Sequence, residues 1–150
     1  TEELERHFDF YEPFTVHESS LSPCVHSIQA AKLDRMEQAY EFYLRTSRLD
    51  LDDYNHEVEE GLHITSMAGT WMSIVEGFGG MRVLNNTLSF APKIPKGWKS
   101  YSFKVNFRGQ IITVNVAQNG TVFEIDGNTE INILVNGNII TISPNKLVTV

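Results

Sequence analysis

Cys24 is the single cysteine among 150 residues. No intrachain disulfide can form, which excludes a disulfide-stapled secreted scaffold. Lying behind Pro23 in an apolar helical pattern, Cys24 reads as a small buried hydrophobe and not as a nucleophile. No apolar run approaches the ~20 residues that span a bilayer, and no basic segment leads into an apolar one near the start. A cytoplasmic location is the expectation. Positive charge is scarce: 12 lysines and arginines stand against 19 aspartates and glutamates, a formal net charge of −7. That balance repels nucleic-acid phosphates and anionic lipid. Neither nucleic acid nor membrane is therefore an expected partner, and any bound anion must be held by a local site. Low-complexity runs are missing too, and 41% hydrophobic residues place the chain among globular proteins.

Metal and nucleotide signatures are also lacking. His7, His17, His26, His56 and His63 form no i, i+4 pair with an adjacent glutamate of the zinc-binding kind. Asp50, Asp52 and Asp53 have the spacing of a calcium loop without its glycine and distal glutamate, so they are assigned to capping and loop structure. No metal is expected. Gly77, Gly79 and Gly80 follow a helix where a dinucleotide fingerprint follows a strand, which leaves little case for a nucleotide.

Two periodicities divide what remains. Up to about residue 80 the pattern is helical. Ser19 or Ser20 is a candidate cap for a helix over Leu21 to Leu33, with Val25, Ile28, Ala31 and Leu33 on its inner side. A second helix is expected over Arg35 to Leu49, where Met36, Ala39, Tyr40, Tyr43 and Leu44 recur at helical steps. A third runs from Ile64 to Phe78, with Ala68, Gly69 and Ser73 allowing close approach to a neighbour. From Val83 onward short alternating runs take over, separated by Arg108-Gly109, Gln118-Asn119-Gly120, Asp126-Gly127-Asn128 and Asn136-Gly137-Asn138. These supply the positive φ angles that tight hairpins need. Asn85-Asn86-Thr87 and Asn119-Gly120-Thr121 fit a glycosylation pattern but are read as turns. Successive hairpins fold into a two-layer sandwich. The fold class is α+β, with a helical part over 1–82 and an antiparallel β-sandwich over 83–150. Trp98, Tyr101, Phe103 and Phe107 belong to its core or seal, with a sugar-stacking face as the alternative.

Two segments bring hydroxyls and a histidine to helix starts, where free N–H groups and the positive dipole end gather anions. They are His17-Glu18-Ser19-Ser20-Leu21-Ser22-Pro23 and the run from Gly61 through His63 to Trp71. Ser19, Ser20 and His63 are the candidate anion ligands, and Thr65 and Ser66 possible further donors. His17 is read as holding the helix start, with a place in the pocket as the alternative; His26 is read as packed or at the surface. Glu57, Glu59 and Glu60 form a solvated run before a helix start, or else one of them stands beside His63 and activates water.

Several segments resemble glycoside hydrolase family 65, which includes maltose, trehalose and kojibiose phosphorylases. They are Phe10-Tyr11-Glu12-Pro13, Thr15 through Ser22, Leu49-Asp50-Leu51-Asp52-Asp53-Tyr54-Asn55 and Gly61 through Trp71. Gly80-Met81-Arg82-Val83, Trp98 through Phe103 and Phe107-Arg108-Gly109 extend the likeness to about residue 116, with the maltose phosphorylases nearest. Glu18 departs from the Asp usual beside the two serines. The resemblance implies the last helices of an (α/α)6 barrel followed by a β-sandwich. Together with a start at Thr1-Glu2-Glu3, without an initiator methionine, it gives the chain the look of a C-terminal fragment.

What it implies for function is an inverting phosphorylase that cleaves an α-glucobiose with inorganic phosphate, giving β-glucose 1-phosphate and glucose. Phosphate would bind at Ser19, Ser20 and His63, and no cofactor would be required. The catalytic acid would be a glutamate upstream, leaving the fragment alone inactive, and its partners would be the remaining barrel and a second copy. Two alternatives stay open: an inverting α-glucoside hydrolase of the same family, and a noncatalytic sandwich module for assembly or carbohydrate contact.

Overall fold

The computed structural model describes residues 2–17, 19–53 and 56–150. Glu18, Tyr54 and Asn55, which figure in the resemblance, lie outside the described residues. The chain forms two compact units, one ending at Gly77 and the other beginning at Phe78.

The first unit is helical. α1 (Glu2–Tyr11) opens with Glu2, Glu3 and Glu5 in its first turn, which favours the positive end of the helix dipole. It was not among the helices expected. It buries Phe8, and Arg35 ties it down through Glu5 and Asp9. A 3-10 turn over Glu12–Phe14 leads on to α2 (Ser22–Lys32), α3 (Met36–Ser47) and the single-turn α4 (Leu49–Asp52). After a second 3-10 turn at Val58–Glu60 comes α5 (Ile64–Met72), which continues in π-helical form over Ser73–Phe78.

The buried stripe of α2 runs through Cys24, Ser27, Ile28 and Ala31. Val25, expected inside, is 48% exposed, because it stands about 100° round the helix from Cys24. On α3 the buried seam is Ala39, Phe42 and Thr46, one step round from the Tyr43 and Leu44 expected. Neither Ser19 nor Ser20 caps α2: Leu21 occupies the cap position with no side-chain bond to the helix. A turn closed by the Ser22 N–H on the Ser19 carbonyl (3.3 Å) sets both serines ahead of the helix.

Helix contacts are made by small and hydroxylated residues. Ser27 donates to the Ala39 carbonyl (2.8 Å), and Ser66 to that of Thr46 (2.7 Å). Gly69 lets α5 approach both α2 and α3, since a Cβ there would lie 2.9 Å from Cys24 Cβ and 3.3 Å from Thr46 Cγ2. Replacing Gly69 by alanine would gain about 1 kcal/mol of helix propensity. The overpacking costs about 1–3 kcal/mol, and Cys24 Cβ, fixed to its own backbone, cannot swing away. A net loss of stability is expected in urea denaturation of the chain, and an unchanged midpoint would show that the helices slide apart freely. The passage to π-helix at Ser73 follows hydroxyl bonds four residues back, Thr70 to the Ser66 carbonyl and Ser73 to that of Gly69, both 2.9 Å. Such bonds loosen the regular ladder.

The second unit is a two-layer sandwich of β1 (Arg82–Leu84), β2 (Thr87–Phe90), β3 (Ser100–Phe107), β4 (Gln110–Ala117), β5 (Gly120–Asp126), β6 (Ile131–Val135), β7 (Asn138–Ile142) and β8 (Val148–Thr149). One sheet has the order β1-β2-β6-β7, the other β3-β4-β5-β8. The β1–β2, β3–β4 and β6–β7 turns have positive φ at both central residues, Asn85 and Asn86, Arg108 and Gly109, Asn136 and Gly137, the twist that suits two-residue hairpins. Gly127, by contrast, has no positive φ. A Cβ there would run into the Gln110 side chain, whose Oε1 accepts the Thr129 N–H at 3.0 Å.

One ladder departs from the antiparallel expectation. β2 and β6 pair in parallel, Ser89 with Leu134 and Phe90 with Val135. The chain leaves β2 to build the second sheet and returns to the same strand running in the same direction, as a crossover requires. Phe90 lies 6.2 Å from Phe103 and 5.4 Å from Phe123 in the opposite sheet, ring centre to ring centre. Leu88, Ile112, Val114, Ile133 and Ile142 complete a fully buried core.

Candidate functional site

The turn ahead of α2 and the start of α5 come together in the helical unit. Ser20 Oγ lies 3.1 Å from Thr65 Oγ1, a hydrogen bond across 45 residues of sequence. Ser19 is exposed, and its hydroxyl accepts the Leu21 N–H at 3.3 Å. Thr65 occupies the first turn of α5, where the helix dipole favours an anion, while the Ile64 and Ser66 N–H groups are given to the Leu62 and His63 carbonyls. Ser66 is not brought to this surface: it is 2% exposed, and its hydroxyl is committed to Thr46.

His63 occupies the cap position of α5. Its Nδ1 lies 2.6 Å from Asp50 Oδ1, and its main-chain N–H donates to Asp50 Oδ2 at 3.0 Å. On the other side of the ring, Nε2 is 3.5 Å from Glu57 Oε2. The hydrogen bond to Asp50 raises the His63 pKa above its ordinary value, with Glu57 and Glu60 adding to the effect, and the same contact lowers that of Asp50. Asp50 thus grips a residue thirteen positions away, which no local spacing announces. Asp52 pairs with Arg48 (2.6 Å), and Asp53 accepts the Val58 N–H (3.2 Å).

His17 is differently placed. Nδ1 bonds Ser22 Oγ at 2.9 Å, and Arg45 donates to its carbonyl at 2.7 Å. The ring stands edge-on to His26 (4.6 Å) and against Phe42 (4.9 Å). Burial, the neighbouring His26 and Arg45 push its pKa down, so the ring favours the neutral state. His26 Nδ1 lies 2.9 Å from the Ser22 carbonyl within this packed group. Of the two histidines ahead of the helix starts, His63 is the one whose surroundings favour the charged form.

The family model for the glycosyl hydrolase family 65 central catalytic domain matches residues 1–72, and that for the family's C-terminal domain matches residues 81–142. The chain belongs to glycosyl hydrolase family 65. Within that family it is similar to the maltose phosphorylase of Bacillus subtilis, 60% identical over 83% of this chain and 16% of the relative. It is 47% identical to the α,α-trehalose phosphorylase of Thermoanaerobacter brockii over 83% of this chain and 16% of that protein. A solved structure described as "Putative kojibiose phosphorylase from human microbiome" superposes with a TM-score of 0.90 at 38% identity, covering 98% of this chain and 22% of its own. The family 65 chain in hand thus spans about a sixth of the length of the curated relatives it matches. Among its described residues no helix is long and apolar enough to cross a membrane.

Proposed function

We propose that this chain forms the phosphate-holding side of the active site of an inverting disaccharide phosphorylase, with maltose the first substrate to test. The observation that carries the reading is the Ser20–Thr65 contact, which joins two helix starts beside a histidine whose pKa is raised by its hydrogen bond to Asp50. Ser19 and Ser20 would donate hydroxyl hydrogen bonds and His63 a charge-assisted N–H to the phosphate oxygens. In such a reaction a carboxylic acid protonates the glycosidic oxygen while a phosphate oxygen attacks the anomeric carbon from the opposite face. The bond to the leaving sugar breaks, the bond to phosphate forms, and an α-linkage becomes β-glucose 1-phosphate. Phosphate is itself the nucleophile, so no cofactor and no second carboxylate are required. The acid is assigned to a glutamate elsewhere in the catalytic domain, so the chain on its own is expected to be inactive.

Maltose leads because identity to the maltose phosphorylase, 60%, exceeds the 47% and 45% to the two trehalose phosphorylases. On this reading residues 1–82 complete the catalytic barrel, residues 83–150 form its sandwich, and the whole works as a cytoplasmic homodimer. A second reading, hydrolysis, is favoured by one observation: Glu57 stands beside His63, where a carboxylate could activate water.

The test is an NMR-followed incubation of the complete enzyme with maltose, trehalose, kojibiose and nigerose, each with and without phosphate. Phosphate-dependent appearance of β-glucose 1-phosphate is the expected result. Glucose released equally without phosphate would turn the assignment to hydrolysis, and no reaction on any sugar would leave a noncatalytic module.

A further inference from the structure

One carboxylate holds His63 by two handles. Asp50 Oδ2 accepts the main-chain N–H (3.0 Å) while Oδ1 meets ring Nδ1 (2.6 Å). The ring cannot rotate without giving up the second bond, and with Nδ1 occupied Nε2 is the ring nitrogen left to face an anion. The two side chains are 17% and 20% exposed, so the pair is partly shielded from water. Asp50 is itself carried on α4, anchored by the buried Leu49.

We propose that Asp50 is a positioning residue for the phosphate reaction, orienting the His63 ring and keeping it cationic so that Nε2–H is presented to the anion. This rests on the phosphate reading given above. Among the described residues, the charged groups that act on the ring are Asp50 on α4, Glu57 just ahead of the 3-10 turn and Glu60 within it. All are carboxylates, and all favour imidazolium. Asp50 outweighs the rest because it alone among them makes a short hydrogen bond to the ring. Glu57 occupies the approach to Nε2 and is 38% exposed; the proposal requires it to give way when an anion arrives. Phosphate binding needs the protonated ring, so it is lost as pH rises through the His63 pKa. Removing the Asp50 charge lowers that pKa and brings the loss to lower pH.

The experiment is the pH profile of kcat/KM for phosphate in the complete enzyme, wild type against Asp50→Asn, which keeps size and an acceptor but loses the charge. The alkaline limb is expected to move down by about one pH unit or more. The phosphate KM should rise about tenfold near pH 8 and stay within about threefold near pH 6. The disaccharide KM should hold, and Asp50→Glu should return the limb most of the way. An unmoved limb in Asp50→Asn, with phosphate binding still weakened by His63→Ala, would overturn the role of Asp50 and leave the phosphate reading standing. A phosphate KM indifferent to His63→Ala would overturn the phosphate reading and the role together. NMR titration of labelled histidines, with the His63 signal assigned by its loss in that variant, then reports separately whether Asp50 controls the ring. If Asp50→Asn fails to fold, Asp50→Ser is the second charge-removing variant, and an alkaline limb unmoved from wild type in it would overturn the proposal.

Discussion

Replacing Phe90 by alanine is expected to destabilise the sandwich by about 3–5 kcal/mol. The side chain is 2% exposed and meets Phe103 and Phe123 of the facing sheet. Truncation would leave a cavity lined by parts of both sheets, which the rigid pleated layers close only partly. The position also carries main-chain duty, since the Phe90 carbonyl accepts the Asn136 N–H (3.0 Å) and the residue pairs with Val135 in the parallel ladder. Domains of this size are stable by only about 5–15 kcal/mol, so the change removes a large share of the margin. Urea denaturation followed by fluorescence and circular dichroism is the measurement. Phe90→Leu, which refills most of the volume, should restore more than half of the loss. A cost below about 1 kcal/mol for alanine would mean that the two sheets do not share this core.

His63→Ala in the complete enzyme is expected to raise the phosphate KM by about ten- to a hundredfold, the range lost with one charge-assisted hydrogen bond. The disaccharide KM should be nearly unchanged. The asymmetry separates a phosphate ligand from a residue that merely supports the fold, because a general loosening of the site would weaken both substrates. Ser20→Ala should act in the same direction by a smaller factor, since a neutral hydroxyl is a weaker partner than an imidazolium. Equal effects on the two KM values would reject the assignment.

Legibility in the sequence varied with how local the signal was. The hairpins were readable because Asn-Gly and Arg-Gly pairs fix turn geometry over two residues, and strand faces follow from alternation alone. Gly127 misled for the opposite reason: its role is set by the Gln110 side chain, seventeen residues away, not by its own φ. In the helical half, Val25 and Tyr43 stood one step from the buried seam, a rotation that apolar periodicity does not resolve when serine, threonine and glycine make the contacts. Ser27, Ser66 and Gly69 carry the packing there, and a hydrophobicity pattern passes over all three. At the candidate site, the residue types at both helix starts were visible, and the Ser20–Thr65 contact joins those starts. The grip of Asp50 on His63 was not visible, because a polar run read as capping gives no indication of which distant main-chain group it will receive.

The parallel pairing of β2 with β6 also dictates an order of assembly. Forty residues separate the partners, and within them lie β3, β4 and β5, the body of the opposite sheet. The β1–β2 hairpin therefore keeps an open edge until β6–β7 arrives to close it. Closing so long a loop is entropically costly and slow. During synthesis that edge stays unpaired until residues 131–135 have emerged, and through that interval Leu88 and Phe90 have no sheet to complete, which makes this the stretch most exposed to pairing with the wrong chain.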